Sequence, residues 1–217
     1  MKTDRQLQQD VSAELGWEPS VHAARIGVEV KDGIVTLAGR VDSYAEKWTA
    51  ERTAQRVSGV NALATRLKVQ LPGFSKRTDA DIASAVQHVL AWTAELPAGA
   101  LQVRVEGGHV TLSGLVDWHY QKQQATDSVR RLMGVLGLSD EIGIQPSVLV
   151  TVIKSDIEAA LKRVAILDAG KIAVAVQNAE ITLTGTVRNW AERETALGAA
   201  WATPGVHKVV DLMKLVH

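Results

Sequence analysis

The stretch GIVTLAGRV (Gly33–Val41) returns as GHVTLSGLV (Gly108–Val116) and again as AEITLTGTV (Ala179–Val187). A reactive motif needs to occur only once, so a motif present three times marks a building unit. The seventh residue of each stretch, Gly39, Gly114 or Gly185, serves as an anchor, and the anchors lie 75 and 71 residues apart. Further matches recur at fixed distances downstream. Ala50, Ala125 and Ala196 come eleven residues later, and Ala54, Val129 and Ala200 fifteen later. Val57, Leu132 and Thr203 follow at eighteen, and the pairs Gly59-Val60, Gly134-Val135 and Gly205-Val206 at twenty. Leu67, Ile142 and Met213 complete the set at twenty-eight. The spacing is gap-free over this span, so the similarity is not chance.

Each unit reads as five elements. A helix opens it, signalled by capping boxes at Thr3-x-x-Gln6 and Ser155-x-x-Glu158 and a weaker one at Thr78-x-x-Asp81. Alternating apolar residues then mark a strand: Ile26-Val28-Val30, Leu101-Val103-Val105 and Ile172-Val174-Val176. The connections KDG, EGG and QNA offer residues that tolerate positive φ in a hairpin turn. The quoted stretch is the second strand. Its anchor glycine is expected between that strand and the next helix, at a bulge or a close backbone approach. A second helix follows, from about Tyr44 to Val57 in the first copy, with the alanines inward so that it lies close on the sheet. The Gly-Val pair stops it with a left-handed cap, and a third strand ends the unit. The fold class expected is α+β: three tandem αββαβ repeats, each with two helices on a small three-stranded mixed sheet. The second and third strands run parallel, because a helix connects them. The repeats are expected at residues 1–72, 76–146 and 147–217. Units this small have little core to spare. The apolar run Val148–Ile153 before the third repeat is therefore expected to be buried against a neighbour.

Composition narrows the function classes. The chain carries 24 basic and 24 acidic residues, and none of its thirds is strongly charged: 10 and 9, 6 and 8, 8 and 7. No basic stripe of the kind a nucleic-acid binder needs shows in these totals, although a local patch can still form in three dimensions. Cysteine is absent, which excludes disulfides and thiolate chemistry. No apolar run reaches a membrane span. The opening MKTDRQLQQDVSAEL is too polar and acidic for a signal peptide, so a cytoplasmic location is expected.

Tryptophan is over-used, with six residues against one phenylalanine and two tyrosines. Trp17 and Trp92 each precede the turn glycine by 16 residues and read as buried plugs beside the first helix, with Arg163 at that place in the third copy. Trp48 lies two residues before the inward Ala50, about 200° around the helix, and so faces away from its own sheet. Trp201 sits about 100° from the inward direction, and Trp118 and Trp190 stand near the starts of their second helices. Trp48, Trp118, Trp190 and Trp201 are thus the candidate binding residues: contacts between units of this chain first, and a lipid headgroup layer or a protein partner second. Gly39, Gly114, Gly185, Gly59, Gly134 and Gly205 are structural repeat positions. The six histidines, at 22, 88, 109, 119, 207 and 217, form no ligand motif, so no metal site is expected. The carboxylate pairs Asp79/Asp81 and Asp140-Glu141 read as capping and solvated groups. No catalytic constellation and no cofactor motif is present.

The units resemble BON (bacterial OsmY and nodulation) domains. The resemblance is carried by GIVTLAGRV with its following alanines and Gly-Val, by the two other copies, and by first helices ending in ELGWEPSV and LAWTAEL. It implies the αββαβ fold, a bacterial source, a link to osmotic or envelope stress and binding of phospholipid surfaces. It also brings the periplasm in as an alternative location and supplies no catalytic motif. The function expected is a non-enzymatic binding or adaptor protein engaging phospholipid or a protein partner. The alternative is a cytoplasmic potassium-binding, ion-responsive protein.

Overall fold

The computed structural model describes residues 2–145, 157–159, 171–177, 179–203 and 205–216. The first repeat contains α1 (Asp4–Trp17), β1 (Ile26–Lys31), β2 (Ile34–Val41), α2 (Tyr44–Gln55) and β3 (Ala62–Val69). The second contains α3 (Asp79–Trp92), β4 (Leu101–Glu106), β5 (His109–Val116), α4 (His119–Arg130) and β6 (Gly137–Ile144). The third contributes β7 (Ile172–Gln177), β8 (Glu180–Val187), α5 (Trp190–Trp201) and β9 (Lys208–Leu215). In each, the quoted stretch is the central strand, antiparallel to the strand before it and parallel to the one after. The expected α+β fold with mixed sheets is the fold observed.

Each repeat has its own apolar core. Ala50, Ala125 and Ala196 are fully buried, as are Ala54, Val129 and Ala200 one turn on. Small residues there let the second helix lie close on its sheet. Leu7, Val11 and Leu15 form the buried stripe of α1, and Ile82 and Val86 that of α3. Ile157 precedes Gly185 by the same 28 residues that separate Val11 from Gly39 and Val86 from Gly114, and it too is fully buried. The capping boxes at Thr3/Gln6 and Thr78/Asp81 are both formed. Ser155, the run Val148–Ile153 and Arg163 lie outside the described residues.

Two expectations need correction. The anchor glycine does not separate strand from helix. It lies inside the strand, which continues two residues beyond it. The predicted close approach is real: a Cβ on Gly39 would sit 2.1 Å from the Arg25 carbonyl oxygen, one on Gly114 2.1 Å from that of Ala100, and one on Gly185 2.0 Å from that of Lys171. Trp17 and Trp92 are not plugs. Each ends its helix and is 84% and 88% exposed, respectively. Trp17 follows the inward Leu15 by two residues, about 200° around the helix, and Trp92 stands in the same relation to Leu90. The angular argument that turns Trp48 outward applies to both.

Gly39→Ala combines this clash with a φ of +147° that an L side chain rarely adopts. It is expected to destabilise the first repeat by about 2–4 kcal/mol, measured by urea unfolding. A loss under about 0.5 kcal/mol, the range of an inert surface change, would contradict the assignment.

Candidate interaction surface

Three features, seen among the described residues, decide which groups are left for a partner. The first is a tie at the start of the first helix. The Asp4 carboxylate accepts from the hairpin N–H groups of Asp32 (2.9 Å) and Gly33 (3.1 Å). Asp79 does the same for Gly107 and Gly108, each at 2.8 Å. These bonds fix the beginning of the helix against the hairpin end of the sheet and direct its last residue to the opposite end.

The second is a buried polar side chain in the first turn of the second helix. Glu46 accepts from the backbone N–H of His22 (2.8 Å) and of Asp42 (2.7 Å). Glu192 accepts from Arg188 N–H at 2.6 Å. Gln121 takes the place in the second repeat, accepting from Trp118 N–H (3.0 Å) and donating to the Glu95 carbonyl (2.6 Å). The structure thereby brings His22, Asp42 and Glu46 together, with ligand atoms within 4.8 Å of one another. No local pattern signals this cluster, since loop, strand end and helix contribute one group each. Both Glu46 oxygens already hold backbone N–H groups, and the second repeat keeps the tie with an uncharged glutamine. The arrangement is therefore a structural clamp. A second pairing, His109 Nε2 with Ser139 Oγ at 2.8 Å, is an exposed cross-strand contact.

The third is the seam between repeats. The front half of each second helix meets the back half of the next. Tyr44 packs against the core of the second repeat and is half-buried there. The Arg130 guanidinium covers the Trp48 ring at 3.9 Å. From the second repeat to the third, His119 stacks on Trp201 with ring centres 4.4 Å apart. From the third back to the first, Trp190 Nε1–H donates to the Val60 carbonyl at 3.1 Å, and Glu194 pairs with Arg52. Tyr44, His119 and Trp190 occupy one repeat position, five residues after the anchor. Head-to-tail contacts of this kind close into a ring when the rotation allows it, and here three copies close it.

The seam places the sequence candidates. Trp48, Trp190 and Trp201 are partly buried in it, and Trp118 is partly buried just before α4. A cleft of about 1080 Å³ between the first and third repeats is lined by Lys2, Asp10, Asn61, Arg188 and Val216, among others, so its charges largely cancel. Four aromatics are exposed among the described residues, Trp17, Phe74, Trp92 and Tyr120, and of these the two tryptophans are the most exposed and share an equivalent repeat position. No helix among the described residues is long and apolar enough to cross a membrane.

The BON-domain family model matches three times, at residues 3–70, 78–146 and 150–216. The chain belongs to the BON-domain family. It is 27% identical over 143 residues to osmotically-inducible protein Y of Escherichia coli strain K12, covering 64% of this chain and 71% of that protein. Among solved structures it aligns with CdsD, a structural protein of the type III secretion system of Chlamydia trachomatis. That match has 15% identity and a TM-score of 0.26, and covers 97% of this chain and 92% of the other.

The seam between BON repeats yields two expectations. Trp190→Phe removes the donor to Val60 and should lower stability by about 1 kcal/mol, read by thermal unfolding. His119 is held below its ordinary value of 6.5 first by burial and then by the Lys122 ammonium, with Asp140 opposing. The unfolded ring binds a proton more readily than the stacked one. Stability is therefore intact above about pH 6.5 and declines as pH falls from there toward the lower folded value. His119→Gln should flatten that dependence. An unchanged slope would show that His119 does not cause it.

Proposed function

We propose that this protein is a non-enzymatic, stress-associated bacterial adaptor that docks on a phospholipid bilayer through the outward ends of its repeats. The observation that carries this reading is the pair Trp17 and Trp92, almost fully exposed at equivalent positions. A large aromatic left in water by a folded domain marks a surface that something else covers. Tryptophan in particular is favoured at the boundary between headgroups and acyl chains. The other candidates, Trp48, Trp190 and Trp201, support the reading indirectly, by holding the repeats in one arrangement. The relative's name, osmotically inducible, supports placing the activity in a stress response. The repeated, catalytically bland motifs support a binding role over an enzymatic one.

The test is co-sedimentation of the full chain with phospholipid vesicles. Trp17→Ala and Trp92→Ala together should weaken binding by roughly tenfold or more, from the apolar area removed. The unfolding midpoint should stay unchanged, because neither ring is in the core. Binding that survives the double substitution counts against the reading. Absence of vesicle binding in the parent protein favours a protein partner instead.

A further inference from the structure

The first strand of each sheet pairs on one side only, so its other side is an edge. Such a strand turns the N–H and C=O of every second residue away from its neighbour, and those groups can receive another strand. In the first repeat Val28 belongs to that set, because its carbonyl accepts from Gln8 Nε2 of α1 at 2.7 Å. Val103 stands at the same repeat position of β4, eleven residues before the anchor, and Leu101 and Val105 share its direction. The place of Gln8 is held by Ala83, which has no hydrogen-bonding side chain to offer. In the third repeat it falls on Lys154, outside the described residues. Among the described residues no turn, loop or cap bond engages the backbone of Leu101, Val103 or Val105. The ring contacts, hydrogen bond and ion pair of the seams do not involve β4 either.

The helix above this edge is as bare as the strand. α3 packs on β4, and helical spacing puts Ala83, Gln87 and Leu90 on its edge side with Ala91 next to them. From Ile82 to Trp92 it holds no Lys, Arg, Asp or Glu, whereas the matching stretch of α1 carries Asp10 and Glu14. Gln87, Leu90, Leu96, Leu101, Gln102 and Val103 line a groove of about 580 Å³ between helix and edge strand.

Charge distinguishes this edge from that of the first repeat. The open face of the first sheet, away from its helices, is basic: Lys31, Arg40, Arg66 and Lys68 are all exposed there. A second copy paired along β1 would continue that face and set like charges side by side. In the second repeat those places are held by Glu106, Leu115, Glu141 and Gly143. With Arg104 beside Glu106, this face is mixed in sign and admits a copy of itself.

A twofold axis at Val103 matches the edge to itself. Leu101 then meets Val105 of the second copy and Val103 meets its own image, so all three residues exchange backbone bonds. Gln102 stands opposite Arg104, and the two Arg104 side chains are not directly opposed. Above the sheet the same axis passes Gln87, which shares the groove with Val103. Gln87 meets its image amide to amide, and Ala83 faces the Leu90–Ala91 end of the other helix. Small side chains at 83 and 91 let the two helices lie side by side.

We infer that the second repeat is a self-association surface: β4 pairs antiparallel with β4 of a second copy, α3 lies beside α3, and two sheets become one. Pairing in solution needs no bilayer, so its outcome is independent of the vesicle reading above.

Sedimentation equilibrium of the full chain should show a monomer–dimer equilibrium, with amide exchange at Val103 slowing as the dimer forms. Gln87→Glu sets like charges at the axis and should weaken association by roughly tenfold or more, with salt restoring part of the loss. Gln87 is exposed, so the unfolding midpoint of the dilute monomer should not change. Gln87→Lys should weaken association likewise, and an equimolar mixture of the two variants should recover it. A parent that stays monomeric up to millimolar concentration would overturn the inference. So would a dimer that Gln87→Glu leaves intact, a mixture that fails to recover, or unslowed exchange at Val103. Growth beyond a dimer would overturn the twofold pairing in favour of unlike edges meeting.

Discussion

A carbonyl oxygen stands where a side chain would begin at Gly39, Gly114 and Gly185, and the rest of each repeat depends on that approach. The oxygen belongs to the residue just before the first strand, about 2 Å from where a Cβ would lie. Only glycine admits it. The contact sets the register of the antiparallel pair, with Gly39 opposite Ile26, Gly114 opposite Leu101 and Gly185 opposite Ile172. A slip of one residue would turn every apolar side chain of the central strand to the wrong face. The buried alanines of the second helix and the two-helix cover follow from that register.

Once the helices cover one face, their outer sides become available for joining repeats. The chain uses aromatic residues and guanidinium groups for this: Arg130 on Trp48, His119 on Trp201, and Trp190 to a backbone carbonyl. Broad contacts from few side chains suit units whose individual cores are small. All three seams use the position five residues after the anchor, filled by Tyr44, His119 or Trp190, while the partner groups stand at different places in the facing repeat.

The repeats have also diverged on the surfaces that the seams leave free. Trp17 and Trp92 share one position, and the open sheet faces share one shape, yet the charge on those faces differs from copy to copy. A threefold scaffold carrying unlike faces gives one molecule a defined orientation on a partner. That orientation is a physical reason to keep three copies rather than one.

Much of the fold was legible in the sequence because its signals are local. Alternation at Ile26, Val28 and Val30, the turn residues Asp32-Gly33, the caps at Thr3 and Thr78, and the recurring Gly-Val pairs each depend on neighbours a few residues away. The outward direction of Trp17 was equally available, two residues beyond Leu15, once the buried stripe of the helix was counted. Other features come from distant parts of the chain. The convergence of His22, Asp42 and Glu46 needs the loop, strand end and helix to fold together. The stacking of His119 on Trp201 needs two repeats. The basic face needs Lys31, Arg40, Arg66 and Lys68 gathered from three strands. The sequence by itself determined the repeat, its element order and its core, through periodicity and steric rules. Tertiary structure alone decided which charges and aromatics face outward together, because that depends on distances between residues far apart in the chain.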